Sequence, residues 1–281
     1  MKTYLDCYPC ILRQALDAAR FTGVNESQQE KILHKVMDLL KHMTLGTRPP
    51  EISEQIHSMI RRELNNDDPY KELKLQSTQE ALNLLPWLRN IIRESPNPFE
   101  TAIRLSIAGN IIDFGAANKF DLRKSIQQVL QQSFAIADIQ SLQQLLTSSP
   151  WVLYLADNAG ETVFDKLLIE NLGKPAFYVV RSGPIINDAI RQDAIQAGLD
   201  QVATIIESGT RIPGGDPDQG SPEFKKLFNE AELIISKGQG NYEMLSEFGP
   251  RLFFLLQVKC AVIARDLGVP QGSIVVKQGD L

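Results

Sequence analysis

Apolar positions in the first 148 residues recur at helical spacing. Ile32, Leu33, Val36, Leu39, Leu40 and Met43 fall three and four apart behind Asn25, the pattern of an amphipathic helix with an Asx cap. Ser77 to Glu80 reads STQE, a capping box ahead of ALNLLPWLRNII, in which Pro86 is placed to kink the helix. Asp121 and Asp138 stand where N-caps would open DLRKSIQQVLQQ and DIQSLQQLL. No run here alternates as a strand does, so residues 1–148 are expected to form an all-helical region.

After SSP at 148–150 the period changes. WVLYLAD, AFYVVRSG, VATIIESG, ELIISKGQG, LFFLLQV and SIVVKQ are short apolar runs rich in β-branched and aromatic residues. Helical stretches lie between them: TVFDKLLIENLG, NDAIRQDAIQAG, SPEFKKLFNEA, NYEMLSEFG and KCAVIARDLG. Apolar strands alternating with helices specify βαβ units and a parallel sheet covered on both faces. Residues 149–281 are therefore expected to form a Rossmann-like, three-layer α/β/α domain with a mostly parallel sheet.

Composition narrows the function classes. Of 281 residues, 43% are hydrophobic and 22% charged, ordinary for a chain with a real core. The formal charge is −5, and no basic stripe offsets it, which argues against a nucleic-acid partner. No apolar run reaches the ~20 residues that span a bilayer, and Asp6 and the cysteines interrupt any leader-like segment, so a cytoplasmic location without membrane contact is expected. The three histidines, His34, His42 and His57, all precede the sheet region, which excludes a histidine base within it. Cys7 and Cys10 have the spacing of half a zinc site or a redox pair; with Cys260 far away in sequence, packing at a helix start is the plainer reading.

In an open parallel sheet, ligands bind beyond the carboxyl ends of the strands where strand order reverses. If the fourth predicted strand returns to the other side of the first, that point lies between DNAGE (157–161) and SKGQGNYE (236–243). Asp157 and Asn158 read either as an Asx cap or as oxygen ligands for a hard cation such as Mg²⁺ or Mn²⁺. Asp188, in RSGPIIND, adds a second carboxylate or caps the next helix. Two carboxylates without histidine suit a metal that neutralises phosphoryl oxygens. In SKGQGNYE, Gly238 and Gly240 let backbone amides approach an anion, Lys237 precedes them, and Asn241 opens a helix. Lys259 ends the fifth strand on the same side. Asn110 and Asp113 interrupt the apolar stretch SIAGNIIDFGAAN, as a buried polar network or a face reaching the crevice.

Together DNAGE, RSGPIIND, ESG, SKGQGNYE and the lysine of QVKC resemble the metal-dependent damage-control phosphatases, also called domain of unknown function 89 or the protein-glutamate methyltransferase-like group. CYPC with AGNIIDFG is similar to the prokaryotic and archaeal branch. The resemblance implies a helical region packed on a Rossmann-like domain and a phosphohydrolase using a divalent ion (Mg²⁺, Mn²⁺, Co²⁺ or Ni²⁺) on a small phosphorylated metabolite. It implies Asp157, Asn158 and Asp188 as metal ligands. It assigns Asn110, Asp113, Glu161, Lys237, Gly238, Gly240 and Asn241 to the substrate or phosphate, with Tyr242 in the same loop, and Lys259 beside Asp157 to catalysis. Rival readings are S-adenosylmethionine-dependent carboxyl methylation and a non-catalytic binder of phosphometabolites. The glycine- and proline-rich stretch TRIPGGDPDQGSP (210–222) reads as a lid.

Overall fold

The computed structural model describes residues 1–111 and 122–280. It begins with α1 (Cys7–Phe21), α2 (Glu26–Leu40), α3 (Pro49–Leu64), α4 (Lys71–Glu94) and α5 (Pro98–Ala108). Next come α6 (Leu122–Gln131), β1 (Phe134–Ala137) and α7 (Ile139–Ser148). The remainder alternates: β2 (Val152–Leu155), α8 (Thr162–Glu170), β3 (Ala176–Val180), α9 (Arg191–Gln196), β4 (Thr204–Glu207) and α10 (Pro222–Glu230). It closes with β5 (Ile234–Lys237), α11 (Gly238–Leu245), β6 (Leu252–Gln257), α12 (Ala261–Leu267) and β7 (Ile274–Gln278).

Local chemistry explains most boundaries. Asn25 caps α2, its Oδ1 accepting from the Gln28 amide at 3.0 Å. The STQE capping box is not used, because α4 already starts at Lys71 and Ser77 lies inside it. The turn that opens α4 is built upstream: Asn66 Oδ1 accepts from the Asp68 amide at 3.0 Å and Asp68 Oδ1 from the Tyr70 amide at 3.2 Å. Pro86 sits within α4. Asp138 stands at the N-cap position of α7, yet its carboxylate accepts from the Gln278 amide at 2.8 Å and so ties that helix to β7. Asp121 lies outside the described residues.

The sheet order is β1-β7-β6-β5-β2-β3-β4, parallel throughout except for the antiparallel pair β6/β7. β2 pairs with both β3 and β5, so the reversal of order falls between β2 and β5, as the strand pattern predicts. β1 corrects the expectation of helix alone before residue 148. It is a four-residue edge strand of alternating partial exposure, held by β7, and too short to show a period of its own.

Alternation along the strands feeds two cores. Tyr154, Tyr178, Ile235 and Phe253 face α4, α5 and α8, while Leu153, Leu155, Val179 and Phe254 face α10, α11 and α12. The helical layer thus includes N-terminal helices as well as α8. A third core joins α1, α2 and α3 around Ala15, Val36, Ile56 and Ile60, with Ile186 packed against it from the loop after β3. Each buried aliphatic or aromatic side chain contributes about 1.5–3 kcal/mol. Among the described residues no helix is long and apolar enough to cross a membrane.

His57 is buried in α3, and desolvation, then the charge of Arg61, lower its pKa from 6.5 to about 3. The unfolded chain therefore binds a proton that the folded chain does not between those values, so stability falls as pH drops below 6.5. Urea titrations should show up to ~1.4 kcal/mol lost per pH unit from this group, and His57→Leu should flatten that part of the profile.

Candidate active site

The chain beyond β2 forms the floor of the site. The amide of Ala189 donates to the Asp157 carbonyl at 2.8 Å and the amide of Ala159 to the Asn187 carbonyl at 2.9 Å. Asn158 and Asp188 thereby form an antiparallel bridge, so the loop after β3 runs back along the extension of β2. Three sequence-predicted residues, Asp157, Asn158 and Asp188, come together in this way. Asp188 is not a helix cap: the first turn of α9 is closed by Asp193, which accepts from the Ile190 amide at 2.9 Å.

Two anchors hold the Asp188 loop. Arg181, fully buried, donates from Nε to Asp188 Oδ2 at 2.8 Å and from Nη2 to the Ala156 carbonyl at 3.1 Å. Its Nη1 is buried with no hydrogen-bond partner. On the other side, Ile186 adopts φ 43°, a costly conformation for a β-branched residue, and packs against the core of α1–α3. Arg61 Nη1 donates to the Pro184 carbonyl at 2.9 Å. The N-terminal helices thus fix the loop that carries Asp188.

Beneath the Asp-Asn pair lies a buried polar network. Glu161, 1% exposed, accepts at Oε1 from Asn158 Nδ2 at 2.7 Å and from Asn110 Nδ2, and at Oε2 from Lys237 Nζ at 2.7 Å. Asn110 Nδ2 also reaches Asp157 Oδ2 at 3.2 Å. The Asn158 NH₂ also donates to Asp157 Oδ2 at 3.3 Å, so Glu161 and Asp157 together fix that amide. Lys237, also 1% exposed, places its ammonium 2.8 Å from Asp165 Oδ1 and 2.9 Å from the Ser106 carbonyl. Burial alone would push the lysine pKa down; the Asp165 and Glu161 carboxylates outweigh it and hold the ammonium above its ordinary value.

These contacts revise several assignments. Glu161 and Lys237 are not phosphate contacts: both are buried, and the three donors of the ammonium are matched by three acceptors. Asn241 lies within α11, which starts at Gly238, three residues earlier than expected. Its side chain is consumed inside the fold. It accepts from the Gly215 amide at 2.7 Å and donates to the carbonyls of Ala156 at 2.9 Å and Lys237 at 2.6 Å. Gly238, at φ +75°, has a sharper role than anion approach: a Cβ there would lie 1.8 Å from Asp157 Oδ2, so the missing side chain is the seat of the carboxylate. Gly240 instead accommodates Gly214, whose Cβ would meet the Gly240 carbonyl oxygen at 2.4 Å.

Lys259 is exposed just beyond β6, its amide held by Gln239 in the first turn of α11. Tyr242 points to α12, donating to Asp266 at 2.7 Å. The stretch expected to act as a lid is anchored: residues 212–217 are buried, and Asp216 accepts from the amides of Asp218 at 2.9 Å and Gln219 at 3.1 Å. Asp113 lies outside the described residues. Cys7 opens α1 with Cys10 one turn on, Cys260 caps α12 by accepting from the Ile263 amide at 3.5 Å, and burial raises the pKa of Cys7 and Cys10. Among the described residues no three His, Cys, Asp or Glu side chains converge on one metal position.

Sequence reading missed Arg181 and Asp165. Asp165 stands one helical turn beyond Glu161, and two buried carboxylates on one face of a helix are unfavourable unless a cation lies between them. That pairing was the available signal. Arg181 gave another, as a charge directly following the apolar strand AFYVV.

The damage-control phosphatase ARMT1-like domain matches residues 3–275. The chain belongs to that family. A damage-control phosphatase of Pyrococcus horikoshii is 34% identical to it over 282 residues, covering 98% of this chain and 97% of that one. One of Archaeoglobus fulgidus is 33% identical, covering 96% and 97%. The crystal structure of a DUF89 family protein from P. horikoshii matches with a TM-score of 0.91 and 34% identity over 100% of both chains. Family membership and the Rossmann-like fold expected from the motifs therefore both hold.

In this member of the damage-control phosphatase family, Arg181→Met should cost about 3–5 kcal/mol, because it removes the guanidinium from a buried carboxylate. Urea unfolding measures it, and a loss below 1 kcal/mol would show that Asp188 is held by other means.

Proposed function

We propose that this protein is a divalent-cation-dependent phosphatase that hydrolyses phosphomonoesters of small metabolites. The observation that carries the reading is the convergence of Asp157, Asn158 and Asp188 at the switch point, where Asn158 and Asp188 face each other across an antiparallel bridge and Glu161 and Asp157 hold the Asn158 NH₂. Oxygen donors from two carboxylates and an amide suit Mg²⁺, Mn²⁺ and related ions. Asp157, Glu161, Asp165 and Asp188 gather four carboxylates at the switch point, with Lys237 between Glu161 and Asp165 and Arg181 on Asp188. The names of the archaeal relatives support phosphatase activity.

In this mechanism Asp157, Asn158 and Asp188 hold the ion, which when bound neutralises phosphoryl charge and acidifies a water. Gly238 gives the Asp157 carboxylate its seat. The amino-terminal turn of α11 offers backbone amides to the phosphate, and Lys259 reaches it from the rim. Glu161 serves indirectly, by orienting the Asn158 and Asn110 amides. Water is the preferred nucleophile, since a carboxylate engaged with a cation attacks poorly.

Protein stripped with EDTA and assayed over a panel of phosphomonoesters should release phosphate only after Mg²⁺, Mn²⁺, Co²⁺ or Ni²⁺ is restored. Asp157→Ala should abolish that release, and undiminished turnover in this variant would refute the assignment. Gly238→Ala should raise the metal concentration for half-maximal rate about 10–100-fold, while circular dichroism stays unchanged. Lys259→Ala should raise KM for the phosphoester by roughly ten-fold or more, as loss of a charged hydrogen bond predicts.

A further inference from the structure

We infer that Asp165, buried beneath the site and absent from the motif set, is a positioning residue for the metal centre. It acts through Lys237 and Glu161. The inference rests on the metal-site reading above and extends it to residues that touch neither cation nor substrate.

Asp165 is completely buried in α8 and has acceptor capacity only. Its Oδ1 receives the Tyr154 hydroxyl at 2.7 Å, Lys237 Nζ at 2.8 Å and Ser106 Oγ at 3.1 Å; its Oδ2 receives the Tyr178 hydroxyl at 2.8 Å. Burial, then the charge of Asp165, push both tyrosine pKa values up, so the phenols remain protonated donors. The supporting groups come from rigid elements: Tyr154 from β2, Tyr178 from β3, Lys237 from β5 and Ser106 from α5. Adjacent parallel strands thus fix one carboxylate from two sides, and that carboxylate fixes the ammonium.

The consequence runs upward. A lysine ammonium on a flexible stem has three rotatable donors and no intrinsic preference for Glu161. Asp165 and the Ser106 carbonyl take two of its hydrogens and aim the third at Glu161 Oε2. Held there, Glu161 turns its other oxygen to the Asn158 and Asn110 amides. The chain from the tyrosines through Asp165, Lys237 and Glu161 therefore sets where the Asn158 and Asn110 amides stand against the Asp157 carboxylate. Partners of this kind commonly govern metal affinity without touching the ion.

The test measures Mn²⁺ affinity of the metal-free full-length protein, by electron paramagnetic resonance of the free ion, below the melting range. Asp165→Asn should raise the Mn²⁺ Kd about ten-fold, with kcat at saturating Mn²⁺ close to that of the parent. Leu167→Ala, a core truncation in the same helix, should lower the melting temperature and leave Kd unchanged, which separates positioning from general destabilisation. If Asp165→Asn does not fold, the Tyr154→Phe/Tyr178→Phe double variant decides, with a several-fold rise in Kd expected. An unchanged Kd in whichever folded variant is measured overturns the inference. Absence of Mn²⁺ binding in the parent protein would instead overturn the metal-site reading itself.

Discussion

A lysine ammonium buried between two carboxylates is the interaction on which the centre of this molecule depends. Lys237 ends β5, Glu161 and Asp165 belong to the turn and helix that follow β2, and the three meet with almost no solvent access. Removing the cation would leave two like charges one helical turn apart in a low-dielectric interior, which is far costlier than losing a surface ion pair. The ammonium joins the two strands flanking the switch point, so the electrostatics that stabilise the fold also align the residues above it. The Ser106 carbonyl, in α5, extends the same junction to the helical layer.

The second constraint is steric. Gly238 leaves room for the Asp157 carboxylate where any side chain would collide with it, and Gly214 leaves room for the Gly240 carbonyl. The loop from Gly214 to Gly220 is drawn onto α11 by Asn241, which binds the Gly215 amide and the ends of β2 and β5 at once. One buried amide thus joins elements that four separate motifs would suggest only as neighbours. On the opposite rim, Ile186 in a left-handed conformation and Arg61 fasten the Asp188 loop to α1–α3. The helical part is a structural support of the centre, fixing the loop that carries Asp188 from outside the sheet.

Much of the fold was legible. Six apolar runs with intervening helices specified a mostly parallel sheet, and DNAGE and SKGQGNYE do stand at the ends of the paired strands β2 and β5. β1 escaped because four edge residues of alternating exposure carry too little pattern to be distinguished from a connection between helices. STQE misled because a capping box works only where the backbone begins to coil, and Asn66 and Asp68 had begun it earlier. At the site, Asp157, Asn158 and Asp188 were legible as a set of oxygen donors. The roles of Glu161, Lys237 and Asn241 were not, since a charged or polar residue in a loop-like motif gives no sign of facing inward.

By itself, the sequence determined the alternation of elements, the absence of histidine from the sheet region and the inventory of acidic and amide oxygens available at the strand ends. These follow from periodicity and composition, which are properties of the chain read in order. Tertiary structure alone decided which charges face each other. Lys237 lies far along the chain from Glu161 and Asp165, and only the crossover that brings β5 beside β2 makes one ammonium neutralise two carboxylates and hold Glu161 against the Asn158 amide. Burial converts those contacts into constraints, because in the interior no water can replace a missing partner.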